Sequence, residues 1–196
     1  LVAFASEHSL LVCHDAPYVD ITYDGYHAPS LLQIPGAKKV AVEFNSLSKT
    51  YNMAGWRLGM ACGNKYALST LNSLKTNIDS SHFRAAQDGG IAALKGDQEW
   101  IVGRNAIYEQ RRDIILAGLS KSGIEADTPQ AAIYVWARTP HGNRAEEFAI
   151  AMLEEIGVSV TPGSLYGSFG AGYFRISLGT STARVREAME RISAWV

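Results

Sequence analysis

Short apolar runs alternate with longer stretches of helical periodicity along this chain. The runs near the N-terminal end have the length of buried strands, and polar or turn-forming residues bound them. Elsewhere, apolar residues recur at the three- and four-residue spacing of one helix face. Strands are therefore predicted at Leu10–Asp15, Val40–Phe44 and Gly55–Gly63, with helices at 64–78, 83–94 and 97–120.

Beyond Gly123 the pattern becomes that of a compact α+β unit. Strands are predicted at 131–136 and 174–178, and helices at 144–156 and 182–195. The whole pattern predicts an α/β layered fold. Three regions are expected: a first domain at 1–96, a long interdomain helix at 97–122, and a small C-terminal domain at 123–196.

Composition excludes little. The chain is 47% hydrophobic and 19% charged with a net charge of −1, so no charge bias points to nucleic acid or membrane. Cys13 and Cys62 fall in apolar runs, which predicts two buried thiols and fits a reducing cytoplasm. The five histidines lack the spacing of metal ligands, so no metal site is expected.

The most informative segment is Ser46-Leu-Ser-Lys-Thr-Tyr-Asn-Met-Ala-Gly-Trp-Arg57. It lies between two predicted strands, so Lys49 is expected in a connecting loop, where reactive groups usually stand. A lysine amine that is partly desolvated and near a second cation, such as Arg57, is activated for attack on a carbonyl. Ser46, Ser48 and Arg57 are suitable donors to a phosphate. One cofactor with an aldehyde and a phosphate, pyridoxal phosphate (PLP), could use all four.

A second candidate is the carboxylate of Asp15 at the end of a predicted strand, with the phenol of Tyr18 three residues later. Such an Asp can keep a pyridine nitrogen protonated, and the Tyr18 hydroxyl could bond the phenolic oxygen of the ring. Both residue types more commonly have a structural role. In that alternative, Asp15 caps a turn and Tyr18 packs against neighbouring side chains.

A third candidate is Arg175, which follows a Pro- and Gly-rich run and lies inside a predicted strand. Burying a guanidinium without an anionic partner is costly. Arg175 is therefore expected either to pair with Asp or Glu or to bind a substrate carboxylate.

In order and spacing, the three segments resemble the C-terminal half of a class I/II, fold-type I PLP-dependent aminotransferase. The resemblance implies part of a three-layer α/β/α large domain, plus the small α+β domain. It also implies that Lys49 forms the Schiff base and moves the proton, and that Arg175 grips the substrate α-carboxylate. The other implied contacts are Asp15 with the pyridine nitrogen, Tyr18 with the ring oxygen, and Ser46, Ser48 and Arg57 with the phosphate.

The resemblance also implies what this sequence leaves out. Nothing before Leu10 matches the family's Gly-rich phosphate loop or its ring-stacking aromatic residue, so the chain is expected to be a fragment. The resemblance implies that the whole enzyme is a homodimer. Amino acids and 2-keto acids are the implied substrates. A C–S lyase or decarboxylase of the same fold remains open, as does the effector domain of a transcription regulator.

Overall fold

The structure, a computed structural model, describes the backbone of residues 1–196 and every side chain except that of His141. The chain divides into two compact units, Leu1–Val102 and Gly103–Val196. The helices are α1 Val2–Glu7, α2 Ala37–Val40, α3 Leu47–Thr50, α4 Lys65–Ile78, α5 Arg84–Lys95, α6 Glu99–Lys121, α7 Ala145–Ile156 and α8 Thr182–Trp195. The strands are β1 Val12–Asp15, β2 Ala41–Ser46, β3 Gly59–Gly63, β4 Tyr134–Arg138, β5 Thr161–Pro162 and β6 Tyr173–Ser177.

The first unit is built on a three-stranded sheet in the order β1-β2-β3. β1 and β2 run parallel, and β3 runs antiparallel to β2. β2 is therefore central, and its first three residues, Ala41, Val42 and Glu43, are buried. Burial of the two apolar residues is what a central strand predicts. Both parallel strands end at the same edge of the sheet, where Asp15 and Ser46 are the last strand residues.

Two predictions in the first unit are corrected. Lys49 lies in the one-turn helix α3 and not in a loop, because the Ser46 side chain caps the turn and the Tyr51 N–H closes it on the Leu47 carbonyl at 3.0 Å. The strand predicted from Gly55 begins only at Gly59, because residues 54–56 form a 3₁₀ turn and Arg57 has a left-handed backbone, with φ +55°.

The predicted thiol burial is also wrong. Cys13 and Cys62 are both free and exposed in this chain. β1 lies at the edge of the sheet, and along it half-buried and exposed side chains alternate, with Cys13 on the exposed face. The helical periodicity at 64–78 does correspond to α4, but its apolar residues Leu71, Leu74 and Ile78 remain exposed in this chain.

The second unit has an antiparallel sheet in the order β4-β6-β5, whose central strand is β6. The predicted strand at 131–136 begins only at Tyr134, because Ala132 has a left-handed backbone with φ +67°. Helices α7 and α8 form close to where periodicity predicts them. The core includes Phe174, Leu178, Met152 and Ile192. Across the described residues, no helix combines the length and apolar composition that crossing a bilayer requires.

Candidate active site

The turn that carries Lys49 is helix α3, placed directly after strand β2. Ser46 caps it, because its Oγ accepts a hydrogen bond from the Ser48 N–H at 3.2 Å. The Leu47 N–H donates to the Leu58 carbonyl at 3.1 Å, and the Leu47 side chain is buried. The cap and this anchor hold the backbone of the turn against the residue that precedes β3.

Lys49 is half-buried and lies over the ring of Tyr18, with its Nζ 5.6 Å from the ring centroid. The next residue, Thr50, is buried, and its Oγ1 donates a hydrogen bond to Oδ2 of Asp20 at 2.7 Å. Tyr18 and Asp20 both belong to the segment that follows β1. Two side-chain contacts therefore place the lysine turn against that segment.

Arg57 reaches the same turn from the loop before β3. Its Nη1 donates to the Ala54 carbonyl at 3.0 Å and lies 3.5 Å from Oγ of Ser48. Ser48 is buried, whereas Arg57 is exposed. A hydroxyl and a guanidinium thus meet at one turn, a combination suited to charge-assisted hydrogen bonds with a phosphate.

Asp15 lies at the same end of the sheet. The register pairs Asp15 with Phe44, and side chains alternate between the two faces, so Ser46 lies on the same face as Asp15. Asp15 is exposed, and among the described residues its carboxylate forms no hydrogen bond. The alternative in which Asp15 caps a turn is therefore wrong for this structure.

The opposite face of the sheet carries a buried carboxylate, Glu43. Its Oε2 accepts hydrogen bonds from the Ser30 hydroxyl at 2.8 Å and the Leu31 N–H at 3.0 Å, and lies 2.9 Å from His14 Nδ1. Its Oε1 accepts from Asn45 Nδ2 at 3.2 Å. Burial raises the pKa of Glu43, but these hydrogen bonds outweigh burial and leave it below its ordinary value of 4.5.

Arg175 is on β6 in the second unit, directly opposite Trp136 of β4. It is half-buried, and its guanidinium carbon lies 4.0 Å from the ring centroid of Tyr134 and 4.8 Å from that of Tyr166. Among the described residues, no Asp or Glu pairs with it. Of the two alternatives predicted for Arg175, pairing with an Asp or Glu is not found among the described residues, and two aromatic rings contact the guanidinium.

The structure gathers most of the predicted site residues at one end of the first sheet: Asp15, Tyr18, Ser46, Ser48, Lys49 and Arg57. Arg175 belongs to the second unit. Sequence reasoning missed Glu43 and the rings around Arg175. The glutamate inside the apolar run 40–44 could have indicated a buried carboxylate. The position of the rings beside Arg175 depends on strand register and turn geometry, which periodicity does not reveal.

Comparison with known proteins identifies the family of this chain. The family model for aminotransferase class I and II matches residues 1–192. The chain belongs to this family. A curated LL-diaminopimelate aminotransferase from Moorella thermoacetica is 52% identical over 192 residues, which are 98% of this chain and 49% of that relative. Another, from Syntrophobacter fumaroxidans, is 48% identical over 98% of this chain and 50% of that relative.

Solved aminotransferase structures have the same fold. A probable N-succinyldiaminopimelate aminotransferase from Thermus thermophilus matches with a TM-score of 0.93 and 38% identity, over 100% of this chain and 52% of that one. An aspartate aminotransferase from Rhizobium meliloti matches with a TM-score of 0.88 and 30% identity, over 97% of this chain and 50% of that one. The predicted α/β fold is confirmed, and the chain spans about half the length of the relatives it matches.

Proposed function

We propose that this chain is the part of a PLP-dependent aminotransferase that carries the reactive lysine. The whole enzyme would move an amino group between an α-amino acid and a 2-keto acid. The observation that supports this most strongly is the placement of Lys49 on a capped turn with Ser46 and Ser48, with Arg57 reaching the same turn. A structural turn would not need a lysine, a buried hydroxyl and a guanidinium together.

The donor set fits this cofactor. The exposed guanidinium of Arg57 and the hydroxyls of Ser46 and Ser48 suit a phosphate. The Asp15 carboxylate, which has no hydrogen-bond partner among the described residues, suits a protonated pyridine nitrogen. When bound, PLP supplies an aldehyde that attaches an amine and a ring that accepts electrons.

The residues would then have distinct tasks. Lys49 would hold the cofactor covalently and move the proton of the substrate's α-carbon. Asp15 would keep the ring nitrogen protonated, and Tyr18 would bond the ring oxygen. Ser46, Ser48 and Arg57 would hold the phosphate. Arg175 would bind the substrate α-carboxylate, for which a guanidinium is suited because it can donate two parallel hydrogen bonds.

We propose LL-diaminopimelate as the amino donor. The relatives that carry this name, from Moorella and Syntrophobacter, are 52% and 48% identical to the chain. The N-succinyldiaminopimelate and aspartate aminotransferase structures are more distant, at 38% and 30%. A substrate with two amino acid ends would still present an α-carboxylate to Arg175.

We also propose that residues 1–96 are the C-terminal part of a large cofactor-binding domain, 97–122 an interdomain helix and 123–196 the small domain. Helix α6, Glu99–Lys121, supports the assignment of 97–122 as an interdomain helix.

We propose further that the enzyme is a cytoplasmic homodimer. The free thiols of Cys13 and Cys62 are compatible with a reducing compartment.

The test is to reduce the PLP-loaded protein with borohydride and to map the modified peptide, together with a Lys49→Ala variant. We expect a pyridoxyl group on Lys49, and a fall in transamination of about 10²–10⁴-fold in the variant, the usual range for loss of a general acid–base group. Lys38→Ala, which removes an exposed lysine from α2, is the matched control and should keep full activity.

Product analysis separates the alternatives. Formation of a new amino acid from an added 2-keto acid supports transamination, with LL-diaminopimelate expected to give the highest kcat/KM in a panel of amino donors. Release of a thiol or of carbon dioxide would instead identify a lyase or a decarboxylase. A pyridoxyl group on another lysine would contradict the assignment of Lys49.

A further inference from the structure

Arg175 is held by aromatic rings rather than by an acidic partner. Its guanidinium carbon lies 4.0 Å and 4.8 Å from the ring centroids of Tyr134 and Tyr166. Both distances are inside the range of about 6 Å over which a ring face attracts a cation. Among the described residues, Arg175 forms no ion pair and no side-chain hydrogen bond. The rings therefore stabilise the charge without using the five N–H donors of the guanidinium.

We propose that Tyr134 and Tyr166 are positioning residues that hold the Arg175 guanidinium ready for a substrate carboxylate; this inference rests on the proposed function of Arg175. An Asp or Glu in their place would neutralise the cation and compete with the substrate for the same N–H groups. Ring faces restrict the side chain and leave those groups available. Preorganisation of this kind lowers the entropy cost of binding.

The two rings are held by different parts of the second unit. Tyr134 is on β4 opposite Ser177, which places it diagonally across from Arg175 on the same face of the sheet. Tyr166 ends the 3₁₀ turn Gly163–Tyr166. Its ring meets the ring of Trp136 edge-on at 5.8 Å between centroids.

The turn that carries Tyr166 is fixed by close packing. A Cβ added at Gly163 would lie 2.8 Å from the Trp136 ring and would collide with the Gly170 carbonyl. The glycine thus allows the turn to approach β4 closely. Tyr166 itself is 53% exposed, so its ring can be removed without opening the core.

The experiment compares Tyr166→Leu, Tyr166→Phe and the control Phe169→Leu in the active, PLP-loaded holoenzyme that contains this chain. The Phe169 ring belongs to the same Gly-rich segment but is 98% exposed, so its loss removes an aromatic ring that has no packing role. Removing one cation–π contact from Arg175 should raise the KM for the amino acid by about 2- to 30-fold. We expect kcat to change little, Tyr166→Phe to stay near the parent value, and Phe169→Leu to have no effect.

A second substrate tests whether the effect concerns the carboxylate. With an amine that matches the amino donor but lacks the α-carboxylate, Tyr166→Leu should react like the parent protein. An equal loss with both substrates would indicate general damage and would overturn the inference, as would an unchanged KM for the amino acid.

Arg175→Ala separates this inference from the function on which it rests. A raised KM in Arg175→Ala together with an unchanged KM in Tyr166→Leu would overturn the positioning role alone. An unchanged KM in Arg175→Ala would overturn carboxylate binding by Arg175, and the inference with it. A raised KM in both variants, with recovery in Tyr166→Phe, is the result that we expect.

Discussion

The lysine turn of the first unit and the arginine of the second are held in physically different ways. The backbone of the lysine turn is held by hydrogen bonds: the Ser46 cap, the bond from Leu47 to Leu58, and the bond from Thr50 to Asp20. The Lys49 side chain itself lies over the Tyr18 ring, at a longer distance than either ring at Arg175. Around Arg175 the contacts are ring faces. Directional bonds fix a backbone closely, whereas ring faces hold a charged group without using its hydrogen-bonding capacity.

The difference matches what each proposed task requires. A lysine that attaches a cofactor must be held in one position. Hydrogen bonds to Leu58 and to Asp20 therefore fix its turn from two neighbouring segments. A guanidinium that binds a carboxylate must be oriented while its N–H groups remain unused. Loss of hydrogen-bond donors should therefore damage the first region most, and altered packing should damage the second.

Among the changes that test the contrast between the two regions, Arg57→Ala should have the largest effect. This change removes the charged donor that lies 3.5 Å from the Ser48 hydroxyl. A hydrogen bond to a charged group contributes about 1.5–3 kcal/mol, so PLP affinity should fall about 10- to 100-fold. Spectroscopic titration with PLP measures this effect.

Pyridoxal, which lacks the phosphate, provides the control ligand, and its affinity should not change in Arg57→Ala. Arg84→Ala removes an exposed guanidinium from the same unit and should leave PLP binding unchanged. If both ligands weaken equally in Arg57→Ala, the arginine does not act on the phosphate.

A smaller effect, confined to the second unit, is expected from Gly163→Ala. The added methyl group would meet the Gly170 and Tyr173 carbonyls and the Trp136 ring, so the turn that carries Tyr166 must shift. Overpacking of this kind costs about 1–3 kcal/mol. Urea unfolding should show the loss of stability, and KM for the amino acid should rise as in Tyr166→Leu.

Gly172→Ala is the matched control, because an added Cβ there meets nothing within 4 Å. PLP affinity should be unchanged in both glycine variants. A loss of PLP affinity in Gly163→Ala would show that the two regions do not respond separately.

The sequence pattern predicted those helices and strands that depend on residues close together in the chain. Helix α8 runs over Thr182–Trp195, as its periodicity predicts, and Ser181 caps it through the Arg184 N–H. The one-turn helix that carries Lys49 is too short for periodicity to reveal, and its anchor, the bond from the Leu47 N–H to the Leu58 carbonyl, joins residues far apart in the sequence. The exposure of Cys13 and the rings around Arg175 depend on which sheet face is covered and on strand register, neither of which a linear pattern encodes.

The smallest effect is expected at the buried carboxylate behind the first site, in Glu43→Gln. The amide oxygen can keep the bonds that meet at Oε2, including those from Ser30 and Leu31, so only the bond from Asn45 and the negative charge are lost. The cost near neutral pH should be about 1 kcal/mol. Urea unfolding measures it, with Asp79→Asn, an exposed carboxylate paired with Lys75, as the control.

The pH dependence makes this last prediction specific to Glu43. Hydrogen bonding lowers its pKa in the folded protein, so the carboxylate contributes stability above its unfolded pKa. That contribution is lost as the pH falls through the lower folded pKa. The difference in unfolding free energy between the parent protein and Glu43→Gln should therefore shrink in acid, once the pH falls below the ordinary glutamate value of 4.5. A difference that stays constant with pH would mean that shape, and not charge, holds Glu43 in the network with His14.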